Sequence, residues 1–457
     1  LRKRSEEPMK QYDVVVMGGG ISGAMAAIAA SRTGAKTLIV ESHGFLGGTL
    51  TANGVGPMMT FHAGEKQVIQ GFTGELIERL KQLGKSPGHI FDTVGFTYSV
   101  TPFDAEAMKH ELELMVTEAG GDILYHTMLA GVNTEDGRIT GIQVCNKSGL
   151  SDIHASVFID ATGDGDLSAL AGVEYTKGRE SDGATQPMTL KMKMYNVDIP
   201  RVKEYIHAHP EDFPLYNGDT SIIEKSPRLS VGGFDSLFKT AKERGEISIP
   251  RENILFFETN NPGEVILNTT RIIGYDATNA HSLSQAEMEG RKQCRELELF
   301  VRKYIPGFEH AVVESTGPSI GVRGSRQIKG IYTLTAEDIL QQRLFEDTIA
   351  HSGYPIDIHS PDGEGTKHEK LEWGGVYSIP YSCMITASMP NLIVIGRCIS
   401  ATFEAQAAMR TTPTTGAIGH GGGVAAALAA LEHKNVQDVD IKQVQSLLKE
   451  QGAYLEV

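Results

Sequence analysis

The chain has 457 residues, of which 40% are apolar and 22% charged, and its 42 Lys plus Arg stand against 57 Asp plus Glu for a formal net charge of −15. That composition is globular rather than disordered, and the length suits two to four domain-sized units. The acidity argues against nucleic acid or an anionic membrane surface as the main partner, and the best apolar run, Val424 to Leu431, falls far short of the roughly 18 residues of a membrane helix.

In chain order, Met9-Lys10 reads as a natural start, with residues 1–8 an accessory tail. Tyr12 to Met17 is a short β-branched run of the kind found in buried parallel strands. It enters Gly18-Gly19-Gly20-Ile21-Ser22-Gly23 and a small-residue helix over 24–31, and a second buried strand, Thr37 to Val40, ends at Glu41. Strand, Gly-x-Gly-x-x-Gly, helix, strand and acid make a complete dinucleotide-binding unit. Gly18 permits the tight turn, Gly20 lets a pyrophosphate approach the backbone, and Gly23 lets helix and strand pack closely. The helix start at Ile21 and Ser22 offers free N–H groups and a partial positive charge to the phosphates. Glu41, followed by Ser42, can accept hydrogen bonds from a ribose diol. The plain reading of the same residues is a βα turn with a solvated glutamate. Gly47, Gly48 and Thr49 form either a surface turn or a loop passing the rest of the dinucleotide.

Residues 73–84 and 104–120 predict amphipathic helices. Asp122 to Leu129, Ile139 to Asn146 and Ser151 to Ile159 predict a small antiparallel layer. Val157 to Gly163 reads as a buried strand with a small-residue turn. Asp164-Gly165-Asp166 after it is better explained by a turn and helix cap than by a metal. From 176 the character changes: a helix runs from Ala286 to Tyr304, Ile320 to Arg326 puts two arginines three apart, and residues 353–370 predict a surface loop. The nucleotide pattern returns at Asn391 to Arg397 and at 411–431, a glycine-rich entry into an alanine helix. The expected fold class is therefore α/β, a discontinuous Rossmann-like domain (9–175 and 371–457) with an inserted α+β cap or substrate domain over 176–370. Cys145, Cys294, Cys383 and Cys398 form no C-x-x-C pair, which suits a reducing, cytoplasmic setting. His207, His209 and His281 lack further ligands at metal spacing, so no metal is expected.

Four separated motifs carry a resemblance: Val-Val-Val-Met-Gly-Gly-Gly-Ile-Ser-Gly (14–23), Ile-Asp-Ala-Thr-Gly-Asp-Gly-Asp (159–166), Gly-Val-Arg-Gly-Ser-Arg-Gln-Ile-Lys-Gly (321–330) and Asn-Leu-Ile-Val-Ile-Gly-Arg-Cys-Ile-Ser (391–400). Over nearly its whole length the chain resembles FAD-dependent oxidoreductases of the glutathione-reductase-like Rossmann superfamily, akin to the fumarate reductase and tricarballylate dehydrogenase flavoproteins. The resemblance implies FAD, with Gly18, Gly20, Ser22 and Gly23 on the pyrophosphate and Glu41 on the adenosine ribose. It further implies Met128 at the adenine, Ala161, Thr162 and Gly163 close to the nucleotide, and Gly47, Gly48 and Thr49 on the ribityl and flavin side. Gly396 and Arg397 would sit at the pyrophosphate and ribityl edge, and a helix starting near Gly416-Ala417-Ile418 would point at the flavin's pyrimidine ring, where its dipole favours the anionic reduced form. Ser325-Arg326-Gln327 replaces the family's usual Thr-Arg-Arg run. No tethering motif surrounds His43, so the FAD is expected to be non-covalent.

The substrate-side candidates are Arg323, Arg326 and Arg410, as carboxylate clamps, and His420 and Tyr381, as proton donors or acceptors. Each arginine is equally suited to bracing the FAD or a domain interface. The expected activity is hydride transfer between flavin N5 and a small organic, carboxylate-bearing substrate. The alternatives are an NAD(P)H-linked flavin reductase and a non-catalytic flavin-bound relay or assembly subunit.

Overall fold

The computed structural model describes residues 11–456, so the proposed start at Met9 and the tail before it lie outside the described residues. Its centre is a five-stranded parallel sheet in the spatial order Leu392–Val394, Ala155–Asp160, Tyr12–Met17, Thr37–Val40, Asp122–Leu124. These strands read as unbroken apolar runs because both faces of the sheet are covered. Val14, Val16, Ile39, Val157, Ile159 and Ile393 point into a core shared with the helices. Their alternates Val15, Met17, Leu38, Val40, Phe158 and Val394 point to the opposite face, against Ile139, Ile142 and Val144 of an antiparallel layer. That layer comprises Gly149–Ile153, Arg138–Asn146 and Met128–Glu135.

Two segments expected as single strands are each divided between sheets. The segment expected as one antiparallel strand from Asp122 to Leu129 is divided: Asp122–Leu124 closes the edge of the parallel sheet, and only Met128 onward joins the antiparallel layer. His126, at φ 51°, turns the chain between them. The segment expected as one strand from Ser151 to Ile159 is likewise two strands, Gly149–Ile153 and Ala155–Asp160, lying in different sheets.

The helix Ile21–Arg32 packs against the helix Thr412–Leu431 on one side of the parallel sheet, which ties the two sequence-distant parts into one layer. Both helices are almost all small residues, so their backbones lie close. A Cβ on Gly419 would fall 2.0 Å from the Ser22 carbonyl oxygen, and one on Gly423 would fall 2.3 Å from that of Ala26.

A second core gathers side chains from Met188 to Ile320. It is built on a five-stranded antiparallel sheet ordered Ser230–Gly233, Ile254–Glu258, Val265–Leu267, Met192–Tyr195, Val312–Thr316, and on the 25-residue helix Ala280–Tyr304. Further along, Leu334, Ile339, Ile349 and Ile356 pack into the first core. Residues 353–370, expected as a surface loop, contain the paired strands Ile356–His359 and Thr366–Glu369. Much of the Gly, Asp and Pro content that suggested a loop belongs to the turn between them, Ser360 to Gly365, while Asp357, His359 and His368 lie on the strands.

Candidate active site

The site is a cleft of about 850 Å³ between the two cores, lined by the glycine turn, Glu41, the 161–166 turn, Thr189, Lys191, the 319–326 segment, Asp357, His359, Gly396, Arg397, Arg410 and the start of the last long helix. Its volume lies in the range of about 300–1,000 Å³ usual for small-molecule sites.

At the nucleotide end, Gly18 has φ +106°, and a Cβ there would fall 2.4 Å from the Ala161 carbonyl oxygen. A side chain at that point is therefore blocked by both conformation and space. Gly23 sits beneath the turn, where a Cβ would fall 1.9 Å from Gly18 O. The helix Ile21–Arg32 starts at Gly20 without a side-chain cap and without an acid in its first turn, which leaves its N–H groups facing the cleft.

Glu41 is buried. Its carboxylate accepts from Gly19 N (2.6 Å), Ser42 Oγ (2.9 Å), His43 N (2.8 Å) and His43 Nδ1 (2.8 Å). Burial pushes its pKa up, but these hydrogen bonds, led by the His43 ring, outweigh that and bring it below the ordinary glutamate value. Met128, 64% exposed, stands at this end with Leu129, Ala169 and Leu170.

Arg397 covers Gly163, where a Cβ would fall 2.9 Å from the guanidinium carbon, and donates to Asp164 Oδ1 at 2.9 Å. Arg326 donates to Asp164 O (2.9 Å) and Asp166 Oδ1 (2.8 Å), and Ser325 Oγ donates to Asp164. The two carboxylates of the Asp-Gly-Asp turn are thus paired with arginines. Among the described residues no group of acids, histidines or cysteines is arranged to hold a metal.

The other end of the cleft is cationic. Along the segment from Met188 to Met192, which leads into the strand Met192–Tyr195, Met188, Leu190 and Met192 face the second core while Thr189 and Lys191 face the cleft, the alternation of an extended chain. Arg323 donates to Thr189 Oγ1 at 2.6 Å and to the Pro187 carbonyl. Burial and the neighbouring Arg410 push its pKa well below the usual arginine value. Asp357 is a buried hub: Tyr354 Oη donates to it at 3.2 Å, and His359 Nε2, His368 Nδ1 and Arg410 Nη2 lie 3.4, 3.2 and 3.8 Å from its carboxylate. Burial pushes Asp357 up, but these neighbours hold it well below the ordinary carboxylate range. Thr411, Thr412 and Thr415 complete this wall.

Most of the residues singled out from sequence converge on the cleft: Gly18, Gly20, Ile21, Ser22, Glu41, Ser42, Gly48, Thr49, Met128, Ala161, Thr162, Gly163, Arg323, Arg326, Gly396, Arg397 and Arg410 all line it. Gly23 and Gly47 support the turn from behind; Gly47 N donates to Gly19 O at 2.8 Å.

Five others lie away from it. The last long helix starts at Thr412, after Thr411 and with Pro413 in its first turn, so Gly416, Ala417 and Ile418 are a full turn inside rather than at its tip. His420 is buried in that helix, stacked on Phe72 at 4.0 Å, and its Nε2 lies 2.8 Å from Gln451 Oε1. Burial pushes its pKa down to about 4, which leaves the ring neutral. Tyr381 is buried too, donating to the Val436 carbonyl at 2.8 Å, with its hydroxyl pKa raised by that burial.

The sequence reading missed Thr189, Lys191, Tyr354, Asp357 and His359. The alternation from Met188 to Met192 signals the first two, and nothing local signals the others.

Buried polar atoms fit a bound nucleotide. Ser22 Oγ and Arg397 Nε, both on residues lining the cleft, have no hydrogen-bond partner among the described residues, and neither has Arg410 Nε at the cationic end. The uncapped starts of the two packed helices, at Ile21 and Thr412, lie side by side at the cleft. This donor set suits a pyrophosphate and a polar ring edge.

Residues 13–448 match the family model described as FAD dependent oxidoreductase. Among curated proteins, the digeranylgeranylglycerophospholipid reductase of Thermoplasma volcanium is 26% identical over 203 residues, 42% of this chain and 48% of that protein. The tRNA uridine 5-carboxymethylaminomethyl modification enzyme MnmG of Protochlamydia amoebophila is 26% identical over 212 residues, 42% of this chain and 31% of that protein. The chain thus spans half or less of the length of these relatives. A solved structure of a geranylgeranyl bacteriochlorophyll reductase-like protein from Thermoplasma acidophilum shares the fold, with a TM-score of 0.50 and 15% identity over 97% of this chain and 85% of that one. The match over nearly the whole chain, joined to the Gly-x-Gly-x-x-Gly cleft, makes this protein a member of the FAD-dependent oxidoreductase family.

Proposed function

We propose that this FAD-dependent oxidoreductase acts on a small organic anion held at the cationic end of the cleft by Arg323 and Arg410. The carrying observation is a charge imbalance: two half-buried guanidiniums line the cleft with Asp357 as the neighbouring carboxylate, and Asp357 is already engaged by Tyr354, His359 and His368. Uncompensated buried charge is costly, so the arrangement calls for a bound anion.

FAD, when bound, supplies two-electron chemistry at its ring. The residues suited to hold it are Gly20, Ile21, Ser22 and Arg397 at the pyrophosphate and Glu41 at the adenosine ribose. Met128, Leu129 and Leu170 suit the adenine, and Thr411, Thr412 and Thr415 the ring. In this reading the unit centred on the parallel sheet holds the cofactor and the unit built on the antiparallel sheet caps the substrate. Thr189 orients Arg323, and Asp357 orients Arg410.

The test is anaerobic bleaching of the flavin absorbance by panels of hydroxy acids, amino acids, dicarboxylates and NAD(P)H. Bleaching by a carboxylate supports the reading, and Arg410→Gln should then raise the half-saturating concentration roughly 30-fold, the loss of a charge-assisted contact of about 2 kcal/mol. Rapid bleaching by NAD(P)H alone, or by none of the carboxylates, overturns it.

A further inference from the structure

Lys191 is the odd group in this cleft. It is 6% exposed, and among the described residues no carboxylate lies within ion-pair distance of its ammonium nitrogen. Its Nζ donates to the side-chain carbonyl of Asn268, a neutral amide. The charged groups that act on it are cations: Arg323, bonded to Thr189 two residues away, Arg410, and Arg251, whose Nη1 donates to the Asn268 backbone carbonyl at 3.0 Å. Buried lysines are ordinarily paired with an acid. One that is surrounded by guanidiniums and given only an amide acceptor is stable as the amine, with a lone pair left over.

From this juxtaposition we propose that Lys191 stands uncharged in the cleft and is the base that takes the proton from the bound organic anion. The proposal rests on the substrate reading above and extends it to a class: a carboxylate with a hydroxyl or amine on the carbon to be oxidised. The O–H or N–H bond breaks, its proton forms a new N–H bond on Lys191 Nζ, and its electron pair forms the C=O or C=N bond. FAD, when bound, would supply the acceptor for the hydride from the same carbon, so that the substrate would lose two electrons and two hydrogens in all. Desolvation and like charge both depress the Lys191 pKa, which agrees with this assignment.

Competitive acetylation of the full-length holoprotein by trace acetic anhydride, a small reagent that acylates only unprotonated amines, decides the matter. Lys292, 62% exposed in its side chain, serves as the internal reference. Peptide mapping is expected to show Lys191 reacting at a rate that levels off below pH 8.5, while Lys292 continues to gain through pH 10, near the ordinary lysine value of about 10.4. Arg410→Gln removes one neighbouring cation and should move the Lys191 midpoint upward. A Lys191 rate that climbs in parallel with Lys292, or an absence of label at Lys191, overturns the proposal.

For the catalytic step, Lys191→Met should slow flavin bleaching by the effective carboxylate at least 100-fold and remove the acid limb of its pH profile, with FAD content unchanged. Lys191→Arg should not restore it. Rescue by arginine would make Lys191 an anion holder, and an acid limb surviving in Lys191→Met would move the role to His359; either outcome sinks the assignment. The bleaching panel judges the substrate reading, and the acetylation profile judges Lys191 itself, so the two can fail separately.

Discussion

Glu41 shows how one residue binds local sequence to function. It sits where the second strand ends, and the glycine turn delivers Gly19 N to it at 2.6 Å. Replacing it with arginine puts a cation against the helix start and removes the ribose acceptor, so Glu41→Arg should yield protein without FAD; undiminished flavin content in the purified variant would refute the ribose assignment. Its partner His43 has its pKa raised, first by the hydrogen bond to Glu41 and against the opposing effect of burial. A raised folded-state histidine pKa contributes stability in full below the unfolded value of about 6.5, and that contribution is lost as pH rises through the folded value. His43→Ala should therefore lower the melting temperature at pH 6 and not at pH 9. The His43 side chain is 38% exposed, so solvent screening keeps the effect below about 1 kcal/mol. A difference that persists unchanged at pH 9 would mean packing, not charge.

At the scale of elements, the contact between Ile21–Arg32 and Thr412–Leu431 governs whether the two halves of the cofactor unit meet. Gly419 and Gly423 are four apart, one above the other on the same helix face, and meet Ser22 and Ala26. Gly423→Ala inserts a methyl against the Ala26 carbonyl and should cost about 1–3 kcal/mol, read as a lower denaturation midpoint with an unchanged slope. Gly74, inside the helix Gly71–Gln82, has nothing within 4 Å of its would-be Cβ. Gly74→Ala should stabilise by about 0.5–1 kcal/mol. If both substitutions behave alike, the close approach of the two helices is not what the glycines at 419 and 423 serve.

At the scale of the molecule, the cleft is a seam between two separate cores, and its walls are charged or polar where they meet. A ligand lying along that seam stabilises the native state by mass action, about 2.7 kcal/mol at one hundred times its Kd. Protein stripped of FAD should melt at a lower temperature and recover on titration with FAD. Recovery by adenosine monophosphate to the same extent would show that the ring end of the cleft contributes nothing.

The parts of this architecture that are legible in the sequence are those set by neighbours along the chain. The strand, glycine turn, helix and acid at 12–41 are one local unit, since strand period, turn conformation and helix start all act over a few residues. The strand returns at 157–163 and 391–397 are legible for the same reason. Asp357, His359 and Tyr354 are different. Their segment carries loop-forming residues, and only its packing against the first core turns it into a strand pair that brings a carboxylate to Arg410. His420 and Tyr381 show the converse: chemically capable side chains near the right motifs, removed from the cleft by the direction in which helix and turn bury them. The sequence by itself determined the nucleotide-binding unit and its cofactor class, because those depend on short-range backbone geometry. The tertiary structure alone decided which charges share the cationic end, because Lys191, Arg323, Asp357 and Arg410 are spread over about 220 residues of sequence and meet only when two cores close on one seam.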